Sequence, residues 1–230
     1  MLTAVCVSQE TKLATEKDFP NPEGFEKDIQ AFEEQDRITS PPANAIVAIG
    51  SSSLKIWNKT INNDLAPLTI IPRGFGGSTM NDALYYVDRI VIPYKPRAVL
   101  LYEGDNDVAG GISPEKIKDA FLKFVAKIHK ELPETRIYFL AIKPSPSRWN
   151  VWPQMQETNR LIENECDKDL RLTYVDVATP MLDAEGQALI DIFRGDKLHM
   201  NEQGYVIWRN VLKPILMEIE LKFEPAKSNI

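Results

Sequence analysis

Asp196-Lys197-Leu198-His199 sets a carboxylate three residues before an imidazole in a chain that holds only two histidines. A single turn lets such a carboxylate reach one ring nitrogen while the other points outward, the arrangement of a general base oriented by an acid. Far upstream, the apolar run Ala45-Ile46-Val47-Ala48-Ile49 ends abruptly in Gly50-Ser51-Ser52-Ser53. A hydroxyl at a strand end, a histidine to take its proton and a carboxylate behind the histidine are the parts of a nucleophilic serine site. Two more polar loops, Gly74-Phe75-Gly76-Gly77-Ser78-Thr79 and Gly104-Asp105-Asn106-Asp107, also follow apolar runs. A backbone N–H freed by a side-chainless loop and an asparagine amide are both good donors to an oxyanion. Four separated loops thus suit one reaction, acyl transfer to a serine.

Each group also has a plainer use. Serines after a strand often cap helices, and one of these three is expected to cap a helix over Leu54–Lys59. Paired glycines often serve only to supply positive φ in a turn, and Asn106 could hold one. His129, the second histidine, falls in the last turn of a predicted helix before Lys130-Glu131, which reads as a solvated surface position. The chain contains no Gly-x-Ser-x-Gly elbow, so the usual α/β-hydrolase motif does not apply.

The elements that must position these loops alternate. Short runs rich in Ile, Val, Leu and aromatics at 45–49, 68–71, 98–102, 136–142 and 172–177 read as strands covered on both faces. Helical patterns lie between them. The clearest is 114–132, with Ile117, Phe121, Phe124 and Ile128 on one stripe, Ser113 as cap and Pro114 at the first position. Others cover 79–92, 152–167 and 202–221, the last capped by Asn201, and an early piece at 24–37 carries Phe25, Ile29 and Phe32. This alternation implies a parallel sheet with right-handed crossovers, an α/β three-layer architecture of about five strands. In such sheets ligands bind beyond the carboxyl ends of the strands. Three of the four polar loops follow such ends.

At 230 residues the chain suits one buried core. Its net charge of −6, without a basic run, argues against nucleic acid or an anionic membrane as partner. No apolar stretch approaches the roughly 20 residues of a membrane span. Cys6 and Cys166 are too few and too far apart for a disulfide framework or a metal site. The opening residues 1–8 are apolar but short and lack a basic start; they read either as the tail of a secretion signal or as an ordinary frayed terminus, which leaves export and a cytoplasmic location both open. The expected division is an N-terminal extension at 1–22, one domain at 23–221 and a tail at 222–230. Nothing in the sequence sets an oligomeric state.

These residues resemble the GDSL, or SGNH, hydrolases, whose four sequence blocks occur here in family order from Gly50 to His199. The resemblance places the nucleophile at Ser52, with Asp196 and His199 completing a triad. It places the oxyanion donors at the N–H groups of Ser52 and Gly77 and at the amide of Asn106. Ser51 and Ser53 stand where the signature has Asp and Leu. The Gly-Ser-Ser-Ser form followed by Trp57 is similar to the branch of platelet-activating-factor acetylhydrolase-like and carbohydrate-acetyl esterases. The implied fold is a three-layer α/β/α sandwich with a flavodoxin-like sheet. The implied activity is hydrolysis of small carboxylic esters, most simply short-chain acetyl esters, through an acyl-enzyme that needs no metal and no organic cofactor.

Rivals remain at this stage. Asp105, Asp107, Asp196 and His199 could gather around a cation, although dinuclear phosphoesterase sites usually draw on more histidines. A lysophospholipase or thioesterase would use the same triad. A non-catalytic small-molecule or carbohydrate-binding domain could share the fold. Trp149 and Trp152, in the Pro-rich stretch 143–153, are candidates for a substrate-binding wall against a sugar ring, or for simple packing of a stiff connector.

Overall fold

The computed structural model describes residues 17–224. Five strands, β1 (Ile46–Gly50), β2 (Ile70–Gly74), β3 (Ala98–Tyr102), β4 (Arg136–Leu140) and β5 (Leu172–Val175), form one sheet in the order β2-β1-β3-β4-β5. All neighbours are parallel, with Ile46 opposite both Ile70 and Ala98. Among the described residues eight α-helices accompany them: α1 (Glu26–Ile38), α2 (Ser52–Trp57), α3 (Ile61–Asp64), α4 (Met80–Ile90), α5 (Asp105–Gly110), α6 (Pro114–Glu131), α7 (Trp152–Cys166) and α8 (Glu202–Glu220).

Side-chain alternation along β4 divides the helices into two layers, because successive strand residues point to opposite faces. Tyr138 donates its hydroxyl proton to Glu220 at the end of α8 (2.7 Å), whereas Phe139 packs edge-on against Phe121 of α6 (5.4 Å between ring centres). Helices α6 and α8 therefore cover opposite faces, the three-layer arrangement expected. On the α8 face, Trp208 packs against Trp57 and Tyr102, all fully buried. Every residue of β1 and β3 is buried, as expected for strands covered on both sides.

Several boundaries differ from the sequence expectations. Strand β2 runs 70–74 instead of 68–71 and includes Pro72. Proline is tolerated there because β2 is an edge strand paired only with β1. The expected helix at 54–59 begins earlier, at Ser52. Ser51 holds its N-cap position, yet its side chain makes no capping bond and is buried. Two short helices, α3 and α5, arise where no helix was expected. Asn201 and Ser113 cap α8 and α6 as the pattern requires, and Ile29 of α1 is buried in the core. His129 is not a freely solvated side chain: its Nε2 lies 2.9 Å from the Thr135 carbonyl, so the imidazole joins the end of α6 to the turn before β4.

Strand order reverses between β1 and β3, because the chain leaves β1 toward β2 and returns on the other side for β3. This is a topological switch point, where the loops diverge and leave a crevice. Gly50 makes the tight exit possible. Its φ is +151°, and a Cβ there would stand 2.1 Å from the Tyr102 carbonyl oxygen. Among the described residues no helix is long and apolar enough to cross a membrane. Residues 1–8, read above as a possible signal remnant, and Cys6 lie outside the described residues.

Candidate active site

The crevice beyond β1 and β3 receives all four loops. Ser52 is the first residue of α2, immediately beyond β1. Of the three adjacent serines, Ser51 and Ser53 are buried and only Ser52 is partly open. Its Oγ lies 3.0 Å from Nε2 of His199, although 147 residues separate them. Nδ1 of the same ring lies 2.6 Å from Asp196 Oδ2. The other carboxylate oxygen accepts the backbone N–H groups of Leu198 and His199, each at 2.9 Å. The hydrogen bond from the His199 side chain, with these two backbone N–H groups, holds the Asp196 carboxyl well below the usual carboxylate range. These bonds also shape the turn, in which Lys197 takes a positive φ of 55°.

Gly77 has a φ of +93°, a region that favours glycine, and is exposed. Its neighbour Gly76 approaches Ser52 most closely: a Cβ on Gly76 would be 3.8 Å from the Ser52 Cβ. The N–H groups of Ser52, Gly76 and Gly77 have no backbone acceptor among the described residues. Asn106 sits in the first turn of α5. Its Nδ2 donates one proton to the Ser78 carbonyl (2.8 Å), leaving a second, and its Oδ1 accepts from Arg148 Nη2 (2.8 Å).

Beneath these groups lies a buried polar layer that the sequence reading did not foresee. Asp105 stands between two cations, Lys143 Nζ at 3.2 Å and Arg148 at 3.3 Å. Burial pushes the Asp105 carboxyl up, but the two cations outweigh it and hold it below the usual range. Burial raises Glu103 well above the ordinary carboxylate value, with Asp107 nearby adding to the shift. Ser78 Oγ lies 2.6 Å from Glu103 Oε1 and 3.0 Å from the Phe75 carbonyl. One hydroxyl proton cannot serve both, so a neutral Glu103 donates to Ser78, which donates to Phe75. Asp107 accepts the Met80 N–H at the start of α4 (2.9 Å), and burial moves its pKa up to about 7. This layer fixes the Gly76-Gly77 loop and the Asn106 loop to each other. Of its members only Asp105 and Asp107 were candidates in the sequence, as metal ligands; Glu103, Lys143 and Arg148 were not. Among the described residues no group of three or more His, Cys, Asp or Glu side chains is placed to hold a metal ion.

The tryptophans stack on each other, 6.1 Å between ring centres and 16° between planes. Trp152 is only 7% exposed and lines a cavity with Asn159, Tyr174 and Asp176, none of them a triad residue. Trp149 is the more accessible of the pair. A separate cleft of about 450 Å³ runs along α2, with Lys55, Ile56 and Tyr205 on its walls and Arg194 and Asn201 beside the histidine turn.

Residues 50–207 match the GDSL-like Lipase/Acylhydrolase family. No curated protein matches the chain. Among solved structures, a Streptococcus pneumonia protein provisionally described as a platelet activating factor is 21% identical, with a TM-score of 0.72 over 83% of this chain and 92% of that one. A GDSL-like lipase from Bacteroides thetaiotaomicron is 19% identical, with a TM-score of 0.70 over 83% of this chain and 97% of that one. A variant of an acetyl xylan esterase from Geobacillus stearothermophilus is 15% identical, with a TM-score of 0.62 over 82% of this chain and 99% of that one. At such identities the likeness is one of fold. The family match spans the β1 turn, the Gly76-Gly77 loop, the Asn106 loop and the histidine turn: the chain belongs to the GDSL-like lipase/acylhydrolase family and is a hydrolase of ester bonds.

Proposed function

We propose that the chain hydrolyses short-chain acyl esters, acetyl esters foremost, through an acyl-enzyme on Ser52. The observation that carries this reading is the relay Ser52 Oγ, His199, Asp196, with contacts of 3.0 and 2.6 Å. His199 removes the Ser52 proton as Oγ attacks the ester carbonyl, and Asp196 stabilises the imidazolium that forms. The carbonyl oxygen becomes an oxyanion, met by the N–H groups of Ser52 and Gly77 and the free N–H of Asn106. His199 then gives its proton to the leaving alcohol and activates a water that releases the acid. Ser52 also opens α2, so the positive end of that helix favours the ionised oxygen.

Support for a short acyl group comes from the absence of a long apolar insertion in the sequence and from the acetyl esterase among the structural relatives. Trp149 is the candidate wall for a sugar-bearing alcohol, and the cleft along α2 offers room for the other part of the substrate. The test is a substrate panel of acetylated sugars, p-nitrophenyl esters of graded chain length and lysophospholipids, with wild type and Ser52→Ala. Hydrolysis should fall as the acyl chain lengthens. Ser52→Ala should lose both turnover and labelling by a fluorophosphonate probe. Loss of labelling in Ser51→Ala or Ser53→Ala, with Ser52→Ala unaffected, would overturn the assignment. Preference for lysophospholipids would replace the short-acyl reading.

A further inference from the structure

An asparagine amide is a useful oxyanion donor only in one of its two flips, since the other points a carbonyl oxygen at the developing negative charge. Both of the contacts that Asn106 makes select the productive flip. Arg148 can only donate, and it meets Oδ1 at 2.8 Å; the Ser78 carbonyl can only accept, and it meets Nδ2 at 2.8 Å. Rotating the amide by half a turn would set NH₂ against the guanidinium and oxygen against oxygen. We infer that Arg148 is a positioning residue for the oxyanion hole, one that locks and polarises the Asn106 amide. This rests on the reading of Asn106 as an oxyanion donor given above.

The same contacts show why Arg148 can hold the amide firmly. It lies in the 3-10 segment Pro146–Val151 after β4, and its Nη1 stands 3.3 Å from Asp105 Oδ2. Asp105 is itself gripped by Lys143, and these two side chains are 3% and 1% exposed. One buried carboxylate with two cations leaves a surplus positive charge behind the amide. A charged donor on the carbonyl oxygen of an amide strengthens its N–H as a donor, and the low local dielectric enlarges the effect. The segment also reaches the acid–base side of the site. The N–H of Ser147, next to Arg148, donates to the carbonyl of Lys197 at 3.0 Å, inside the turn between Asp196 and His199. One short segment thus braces the oxyanion donor with a side chain and the triad turn with its backbone.

The test is a double-mutant cycle between Arg148 and Asn106, read as kcat and KM separately on p-nitrophenyl acetate. Arg148→Met keeps an unbranched stem and removes the guanidinium with its charge and donors; kcat should fall about 10–100-fold with KM within about twofold, a fraction of the roughly 10²–10³ expected for losing a donor outright. Arg148→Lys should recover only part of the loss, because an ammonium lacks the planar fork. In an Asn106→Ala background, Arg148→Met should cost less than about threefold. An equal loss in both backgrounds would show that Arg148 does not act through the amide, and a raised KM with unchanged kcat would make it a substrate-binding group; either overturns the inference. If Arg148→Met fails to fold, Arg148→Lys and Arg148→Gln carry the cycle. Wild-type kcat in Asn106→Ala refutes the oxyanion role of Asn106 and this inference with it, whereas intact activity in Ser52→Ala refutes the acyl-enzyme reading itself.

Discussion

Asp196→Asn changes one atom and should disable the base. In the wild type, one carboxylate oxygen takes the ring nitrogen Nδ1 at 2.6 Å and the other takes two backbone N–H groups at 2.9 Å. An asparagine that keeps both backbone bonds must turn its NH₂ toward Nδ1. That group only donates, so Nδ1 must accept and the ring proton moves to Nε2, which can then no longer receive the Ser52 proton. Rotating the amide to escape this forfeits two hydrogen bonds, about 1 kcal/mol each. Loss of the carboxylate that balances the imidazolium adds to this, and the same substitution in a buried triad costs about 10⁴ in kcat. Asp196 is 49% exposed, so water screens part of the charge effect. The expected loss is therefore nearer 10³, or about 4 kcal/mol of barrier. Initial rates on p-nitrophenyl acetate should show it in kcat with KM little changed. The melting temperature should stay within a few degrees, because the turn bonds survive. A variant that keeps kcat within tenfold of wild type would refute the reasoning and leave His199 oriented by something else.

Asp107→Asn should make stability less dependent on pH. Its carboxyl has a folded pKa of about 7 against an ordinary 3.8, so the folded chain binds the proton more tightly than the unfolded one. That group's contribution is fully present below about pH 4 and is lost as pH rises through 7. The difference caps the loss near ~4 kcal/mol; urea unfolding should find the variant more stable than wild type at pH 8 and close to it at pH 5, and the reverse order would count against the shift. Gly50→Ala should be among the most damaging single changes, costing several kcal/mol, since its Cβ would collide with the Tyr102 backbone; a melting temperature near wild type would show that the turn can open. Ester hydrolysis should survive exhaustive EDTA treatment, and recovery only on adding a divalent ion would instead favour the metal reading of Asp105, Asp107, Asp196 and His199.

Much of this arrangement was legible in the sequence because its signals are local. Apolar runs that give way to Gly50-Ser51 and to Glu103-Gly104 mark β1 and β3, and four short motifs name the groups that meet at their ends. The interactions behind the motifs were not legible, because they join residues far apart in the chain. Arg148 reaches Asn106 across 42 residues and Lys143 reaches Asp105 across 38. No spacing rule links a Pro-rich connector to a Gly-x-Asn-Asp loop. Helix α5 was missed for a related reason: Gly104, Asp105, Asn106 and Asp107 are all turn formers, and only the buried contacts of Asp105 and Asp107 commit them to a helix. The displacement of β2 has the opposite origin, since edge position licenses a proline that sequence pattern alone excludes.

Cys166, one of the chain's two cysteines, turns one quiet corner of the fold into a chemical clock. Cys166 ends α7 beside the edge strand β5, and burial lifts its thiol to about 12. Reagents that attack thiolates therefore wait for this corner to open. With Cys6 replaced by serine, the rate of Cys166 modification would time those openings. The same helix supplies Asn159, whose amide clasps both the N–H and the carbonyl of Ile142 (2.8 and 3.0 Å), one residue before Lys143. Helix α7 thus ties the Cys166 corner to the backbone beside Lys143, the cation that holds Asp105.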